Sequence, residues 1–271
     1  MTQWDRKAGS WLTRYTPVPG AGGAGRRTQL ICLPHAGGSA TFFQPLAREM
    51  AEIAESPEAA EAADAAEVLA VQYPGRQERR AEPVIEDLSV LADRTAEALA
   101  HAGDAPLALF GHSMGALLAW EVARRLETRY ERRPTALIIS GRPAPSLHAD
   151  VQLHRRRDAE LIADLRHLSG TSADLLSDPG ILRMVLPVLR GDYKAVDGYR
   201  YVPGPPLRCP VAVLLGDRDP WAGEAEARGW ADETTGPVTF RTFPGDHFYL
   251  TAQWRQVARA VAETLSSVTA G

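Results

Sequence analysis

The stretch Leu107–Trp120, "LALFGHSMGALLAW", decides the fold. An apolar run stops at two glycines that bracket Ser113, and a helical pattern begins at once. This is a G-x-S-x-G sequence at the junction of a strand and a helix, the setting of a nucleophile elbow. Such a turn forces the serine into an unusual backbone conformation, so its neighbours must lack bulky side chains. It lifts the hydroxyl off the sheet edge and aims the next backbone N–H at the same point. Taken alone, the motif equally fits a serine in an ordinary tight turn. The rest of the chain separates the two readings.

Outward from the elbow, short apolar runs alternate with longer helical stretches. The runs are "TQLICLP" (28–34), "VLAVQYP" (68–74), "PLALFG" (106–111), "TALIISG" (135–141), "CPVAVLLG" (209–216) and "PVTFRTFPG" (237–245). Helices are expected near 41–55, 86–101, 115–130, 221–234 and 248–267. Alternation of this kind gives an α/β fold, and runs apolar on both faces suit a mostly parallel central sheet flanked by helices. Residues 142–208 form a connection far longer than usual, with helical patterns of their own, and read as a helical lid insertion within one domain spanning 1–271. The acidic, Ala-rich segment 54–67 is expected to be a solvated helix extension or loop, and "PVPGAGGAGRR" (17–27) a flexible lead into the first core strand.

Composition bounds the function. The chain has 271 residues, 45 % apolar and 24 % charged, with a net charge of −4. That balance gives no electrostatic case for nucleic acid. The apolar runs are too short to span a bilayer, and the N-terminus has no apolar h-region of a secretory signal. The two cysteines, Cys32 and Cys209, sit beside apolar runs and are expected to be buried, reduced thiols of a cytoplasmic protein. No CxxC or HExxH pattern occurs, and no G-x-G-x-x-G follows the first strand, so neither metal nor dinucleotide cofactor is expected.

A serine hydroxyl needs a base, and the base an orienting carboxylate. In this architecture they follow in the order Ser, acid, His. His247, in "FPGDHFYL", is the only histidine after the insertion and stands between the last strand and the last helix. The strand "TALIISG" carries no carboxylate at its end, so the acid comes from "VAVLLGDRDPW": Asp217 or Asp219. Asp219 is preferred, because it lies deeper in the loop with Pro220 fixing the turn after it. Asp246 reads as a surface or loop-capping residue and His112 as a packed histidine pointing away from the nucleophile. The oxyanion needs two donors. Met114 N–H, at the start of the helix, is one; Ala36 N–H, in "LPHAGGSA" (33–40), is the best candidate for the other.

The sequence resembles the stand-alone (type II) thioesterases that accompany polyketide and nonribosomal peptide synthases, members of the α/β-hydrolase superfamily. The resemblance runs nearly end to end, through "LPHAGGSATFFQPLA", "VLAVQYPGRQERRAEP", "PLALFGHSMGALLAWEVARRL", "SGRPAP", "LPVLRGDY", "CPVAVLLGDRDP" and "FPGDHFYL". It implies the α/β-hydrolase fold, the triad Ser113, Asp219 and His247, and the donors Met114 and Ala36. It also implies the reaction: removal of stalled or wrong acyl groups from the phosphopantetheine arm of acyl or peptidyl carrier proteins, with no cofactor or metal on the hydrolase. Two departures stand out, the longer acidic segment 54–67 and Asp246 where a glycine is more usual. A general carboxylesterase or lipase of the same fold, or a non-catalytic carrier-binding protein, are the other readings of the same residues. The sequence does not give the oligomeric state, and a monomer is compatible with it.

Two further expectations concern partners. Leu165, Met184 and Leu186 of the insertion are expected to shape the acyl pocket. Acidic carriers would need a local basic surface, for which Arg76, Arg79 and Arg80 are better placed than Arg155, Arg156 and Arg157.

Overall fold

Strand β4 (Leu107–His112) lies at the centre of a seven-stranded sheet with all six residues buried. The other strands are β1 (Leu12–Arg14), β2 (Gln29–Leu33), β3 (Glu67–Val71), β5 (Ala136–Ser140), β6 (Val211–Gly216) and β7 (Val238–Phe243). Their order is β1-β3-β2-β4-β5-β6-β7. Every neighbouring pair is parallel except β1 with β3. The computed structural model describes residues 11–15, 27–55, 66–101, 103–168 and 178–269. The acidic segment and the Gly-rich lead fall mostly on 56–65 and 16–26, outside the described residues.

Successive residues of the strands feed two cores. Ile31 and Leu33 pack with helices α2 (Leu88–Ala100) and α3 (Met114–Arg129) on one face. Leu30 and Cys32 pack with α1 (Gln44–Glu55) and α7 (Leu250–Thr269) on the other. This is why the strands read as continuous apolar runs rather than alternating ones. The mostly parallel sheet with flanking helices is the architecture the sequence implies. Both cysteines are buried and free.

Two elements differ from expectation. The edge strand β1 has only three residues, paired antiparallel through Leu12–Val71 and Arg14–Leu69, too few to leave a sequence pattern. The stretch expected as a helix near 221–234 makes one α-turn, α6 (Glu224–Ala227), then a 3-10 segment at Arg228–Glu233. Trp230 is the cause: it is fully buried and donates its indole N–H to the Arg142 carbonyl at 2.8 Å, pulling the chain tight against the β5 loop.

Between β5 and β6, the long connection holds α4 (Asp158–Leu168) and α5 (Pro179–Gly198); residues 169–177 lie outside the described set. Asp178 caps α5, its Oδ1 accepting the Gly180 and Ile181 N–H groups at 2.6 and 3.2 Å. Helix α5 turns Leu189, Tyr193 and Val196 inward, onto the core that α3 also serves.

Candidate active site

Ser113 occupies the junction of β4 and α3 with φ +56° and ψ −115°. This is a backbone region that non-glycine residues rarely adopt, and holding one there costs roughly 1–3 kcal/mol. Two positions beside it have no room for a side chain. A Cβ on Gly111 would collide with the Gly115 carbonyl, and one on Gly115 with the Leu33 carbonyl of the neighbouring strand. The two glycines therefore let the helix start against β2 while the serine stands up between them. The Ser113 N–H donates to the Ser140 carbonyl of β5 at 2.8 Å, locking the turn to the sheet.

Three residues from three separate junctions form a line that ends at this hydroxyl. His247 Nε2 lies 2.9 Å from Ser113 Oγ, and His247 Nδ1 lies 2.8 Å from Asp219 Oδ2. The Asp219 side chain is fully buried, and its Oδ1 accepts the Trp221 N–H at 2.8 Å. Asp217, the alternative acid, faces elsewhere: its Oδ1 accepts the Gly245 N–H at 2.8 Å. Asp246 caps its own turn, Oδ1 accepting the Phe248 N–H at 2.9 Å. Both carboxylates thus shape the loop that presents His247 without touching its ring.

Two other imidazoles crowd the same place. The His112 ring lies 5.1 Å from that of His247, and the His35 ring 6.2 Å from His112. Neither hydrogen-bonds Ser113. His112 Nδ1 pairs with Ser140 Oγ at 2.9 Å, which in turn pairs with the Tyr249 hydroxyl at 2.7 Å. Burial holds His112 well below the ordinary imidazole range and lowers His35 to about 4, so both rings are neutral at pH 7.

Ala36 and Met114 line one cavity with Ser113 and His247, of about 550 Å³. Met114 is the first residue of α3, so its N–H has no acceptor within the helix. The loop carrying Ala36 is held by side chains from the stretch after β3. Tyr73 donates its hydroxyl to the Pro34 carbonyl (3.1 Å), Arg76 Nη1 to the Gly38 carbonyl (2.9 Å), and Gln72 Oε1 accepts the Ala40 N–H (2.8 Å). Sequence reasoning missed these roles, although "QYPGR" was the signal: it places polar side chains directly after the buried apolar run Val68–Val71.

The far walls of the cavity come from the long connection, through Leu147, Val151, Leu153, Tyr193 and Val196, with Trp221 at the rim. Arg142 also lines it, donating to His148 Nδ1 at 2.7 Å; burial lowers its pKa to about 10. Two of the three residues expected to shape this wall do not line it. Met184 is 64 % exposed, and Leu186 packs against the core outside the cavity lining. The side chain of Leu165 lies outside the described residues. The reason lies in α5: Met184 falls off the face that Leu182, Val185 and Leu186 turn to the core, and it is Tyr193 and Val196, further along the helix, that reach the cavity.

The expected docking surface is likewise corrected. Arg76 is 7 % exposed and makes a double hydrogen bond with Asp192. Arg79 is as deeply buried, paired with Glu82 and stacked 4.1 Å above the Trp11 ring. Only Arg80 of the three is exposed. Among the described residues, no group of three or more His, Cys, Asp or Glu converges as a metal site would need, and no helix is long and apolar enough to cross a membrane.

Comparison with known proteins places this geometry in a family. The thioesterase domain family matches residues 28–266. Thioesterase PikA5 of Streptomyces venezuelae is 42 % identical over 259 residues, covering 95 % of this chain and 86 % of that protein. The solved type II thioesterase BorB of the borrelidin biosynthetic cluster is 46 % identical with a TM-score of 0.79, covering 94 % and 98 % of the two chains. YbtT, a type II thioesterase of the yersiniabactin NRPS/PKS pathway, is 32 % identical with a TM-score of 0.78, covering 95 % and 99 %. An α/β-hydrolase sheet and a match over almost its whole length make this chain a member of the thioesterase family, a hydrolase that acts on thioesters.

Proposed function

We propose that the protein is a type II editing thioesterase, which hydrolyses stalled or wrong acyl groups from the phosphopantetheine arm of acyl or peptidyl carrier proteins of a polyketide or nonribosomal peptide synthase. The observation that carries this reading is the unbroken line Ser113–His247–Asp219 at a 550 Å³ cavity, in a chain similar end to end to enzymes of that description.

Ser113 Oγ attacks the thioester carbonyl carbon while His247 Nε2 takes the hydroxyl proton. Asp219 holds the His247 tautomer through Nδ1 and stabilises the imidazolium as it forms. The carbonyl oxygen, now an anion, accepts from the N–H groups of Met114 and Ala36. Collapse of this intermediate breaks the C–S bond, and His247 returns its proton to the departing pantetheine thiol. Water, deprotonated by His247, then attacks the Ser113 ester, and the acid leaves with the serine proton restored. The phosphopantetheine belongs to the substrate; the enzyme's own residues suffice for every proton transfer.

Residues 142–208 serve as the lid of this site, supported by the apolar wall they supply. A lid that excludes water around the acyl chain strengthens the hydrogen bonds to the oxyanion. Cytoplasmic carriers fit the buried free thiols Cys32 and Cys209. The deciding experiment is hydrolysis of a panel of acyl-loaded carrier proteins beside simple esters of the same acids. Carrier thioesters turned over at least tenfold faster support editing; equal or faster ester turnover makes the enzyme a general carboxylesterase.

A further inference from the structure

Two stretches that carry the family resemblance, "QYPGR" (72–76) and "LPVLRGDY" (186–193), take no part in the line Ser113–His247–Asp219, yet both converge on the loop that carries Ala36. From α5, Asp192 Oδ2 accepts the Gly37 N–H at 2.7 Å. The same oxygen accepts Arg76 Nη1 at 2.7 Å, and Asp192 Oδ1 accepts Arg76 Nη2 at 2.8 Å. Arg76 Nη1 also reaches the Gly38 carbonyl at 2.9 Å, so one ion pair grips the loop by a donor and an acceptor on consecutive residues. Tyr73 at Pro34 and Gln72 at Ala40 fix the two ends. Gln72 Nε2 donates back to the Arg76 carbonyl at 3.2 Å, which joins the holders to one another.

The loop cannot hold itself. Its sequence from 36 to 40, "AGGSA", has only one side chain larger than a methyl group, and its two glycines widen the conformations open to it. An oxyanion donor is useful only if it is already in place when charge develops. A buried ion pair is weak evidence for stability, because desolvation offsets much of the attraction. What a bidentate arginine–carboxylate pair gives is a fixed position. Here Asp192 is 1 % and Arg76 7 % exposed, and both spend hydrogen bonds on the same few backbone groups.

We infer that Arg76 and Asp192 are positioning residues, which set the Ala36 N–H in the oxyanion hole and tie it to helix α5 of the long connection. The oxyanion hole is then complete only while α5 is seated, so the wall of the acyl cavity and the charge-stabilising loop are one mechanical unit. This inference rests on the proposed role of Ser113 and of the Ala36 and Met114 donors.

The test is Asp192→Asn, nearly isosteric, with turnover expressed per active site titrated by a serine-directed phosphonate. A displaced oxyanion donor lowers kcat about 100-fold with KM changed less than about threefold, and slows phosphonylation in proportion. Combining it with Arg76→Lys adds little, because either change already breaks the unit. A merely structural role would lower the titre and the melting temperature, leaving kcat per site intact; that result overturns the inference, as does a loss carried by KM. Tyr73→Phe removes one hydroxyl and keeps the ring packed, so it guards against failure to fold. It should lower kcat roughly fivefold at constant KM, a smaller share of the effect of losing one donor; an unchanged kcat counts against the inference. Ser113→Ala is assayed beside them. Hydrolysis surviving in Ser113→Ala refutes the nucleophile itself, whereas an inactive Ser113→Ala with a fully active Asp192→Asn refutes the positioning role alone.

Discussion

Asp219 and His247 come from the loops after β6 and β7, 28 residues apart, and meet with Oδ2 2.8 Å from Nδ1. The carboxylate is fully buried while the imidazole keeps an edge on the cavity. Asp219→Asn should leave the fold intact and lower kcat by roughly 10³–10⁴, because the amide favours the wrong imidazole tautomer. Ser113→Ala and His247→Ala should each lose several orders of magnitude, and the double variant little more, since the residues act as a unit. Steady-state hydrolysis of a small acyl thioester measures all four.

The strain at Ser113 gives a prediction of opposite sign for stability and activity. Ser113→Gly should raise the melting temperature by roughly 2–4 °C, about 1 kcal/mol of relieved backbone strain in a chain of this size, while abolishing turnover. Gly115→Ala should do the reverse damage and destabilise by about 3 kcal/mol or more, since its Cβ meets the Leu33 backbone. Scanning calorimetry distinguishes the two.

Chain-length preference should follow the residues that line the cavity. Leu153→Phe or Val196→Phe, both at the wall, should shift the ratio of octanoyl to acetyl turnover by about tenfold toward acetyl. Met184→Phe, on the exposed side of α5, should leave that ratio within about twofold, as surface changes usually do.

Reversing Arg76 should not act as a docking mutation. Arg76→Glu leaves Asp192 facing a second buried carboxylate and should destabilise by about 3–5 kcal/mol, with carrier-bound and small thioesters losing turnover together. The loss should persist as salt rises, whereas a surface docking defect would shrink under screening. Urea unfolding and assays at two ionic strengths check both statements.

His35 makes stability depend on pH in a defined direction. Its folded pKa of about 4 lies below the unfolded value near 6.5, with burial as the main cause and the His247 and Arg76 charges adding to it, against the Ala36 carbonyl and Asp192. Between those values the unfolded chain binds more protons, so stability rises with pH. The contribution, on the order of 3 kcal/mol, is complete above about pH 6.5 and is lost as pH falls toward 4. His35→Gln should lessen the rise of the urea midpoint over that window without abolishing it, because His112 and His148 are lowered in the same direction.

Local chemistry was enough to read much of this protein from its sequence. The glycines around Ser113, the wholly apolar strands and the order Ser, Asp, His each reflect a constraint that acts within a few residues, so they appear as patterns. That Asp219 rather than Asp217 meets His247 was legible too, because Pro220 fixes the turn and the loop depth follows from it. What only the tertiary structure decided is every contact made at long separation. Arg76 meets Asp192 across 116 residues, and no spacing rule distinguishes a buried arginine from a solvated one in "GRQERR". Strand β1 exists because β3 offers it an edge, and the segment after Gly223 stops being a helix because Trp230 is drawn onto the Arg142 carbonyl. The phase of α5 turns Val196 rather than Met184 toward the cavity beside Ser113, and packing against a sheet built from the rest of the chain sets that phase.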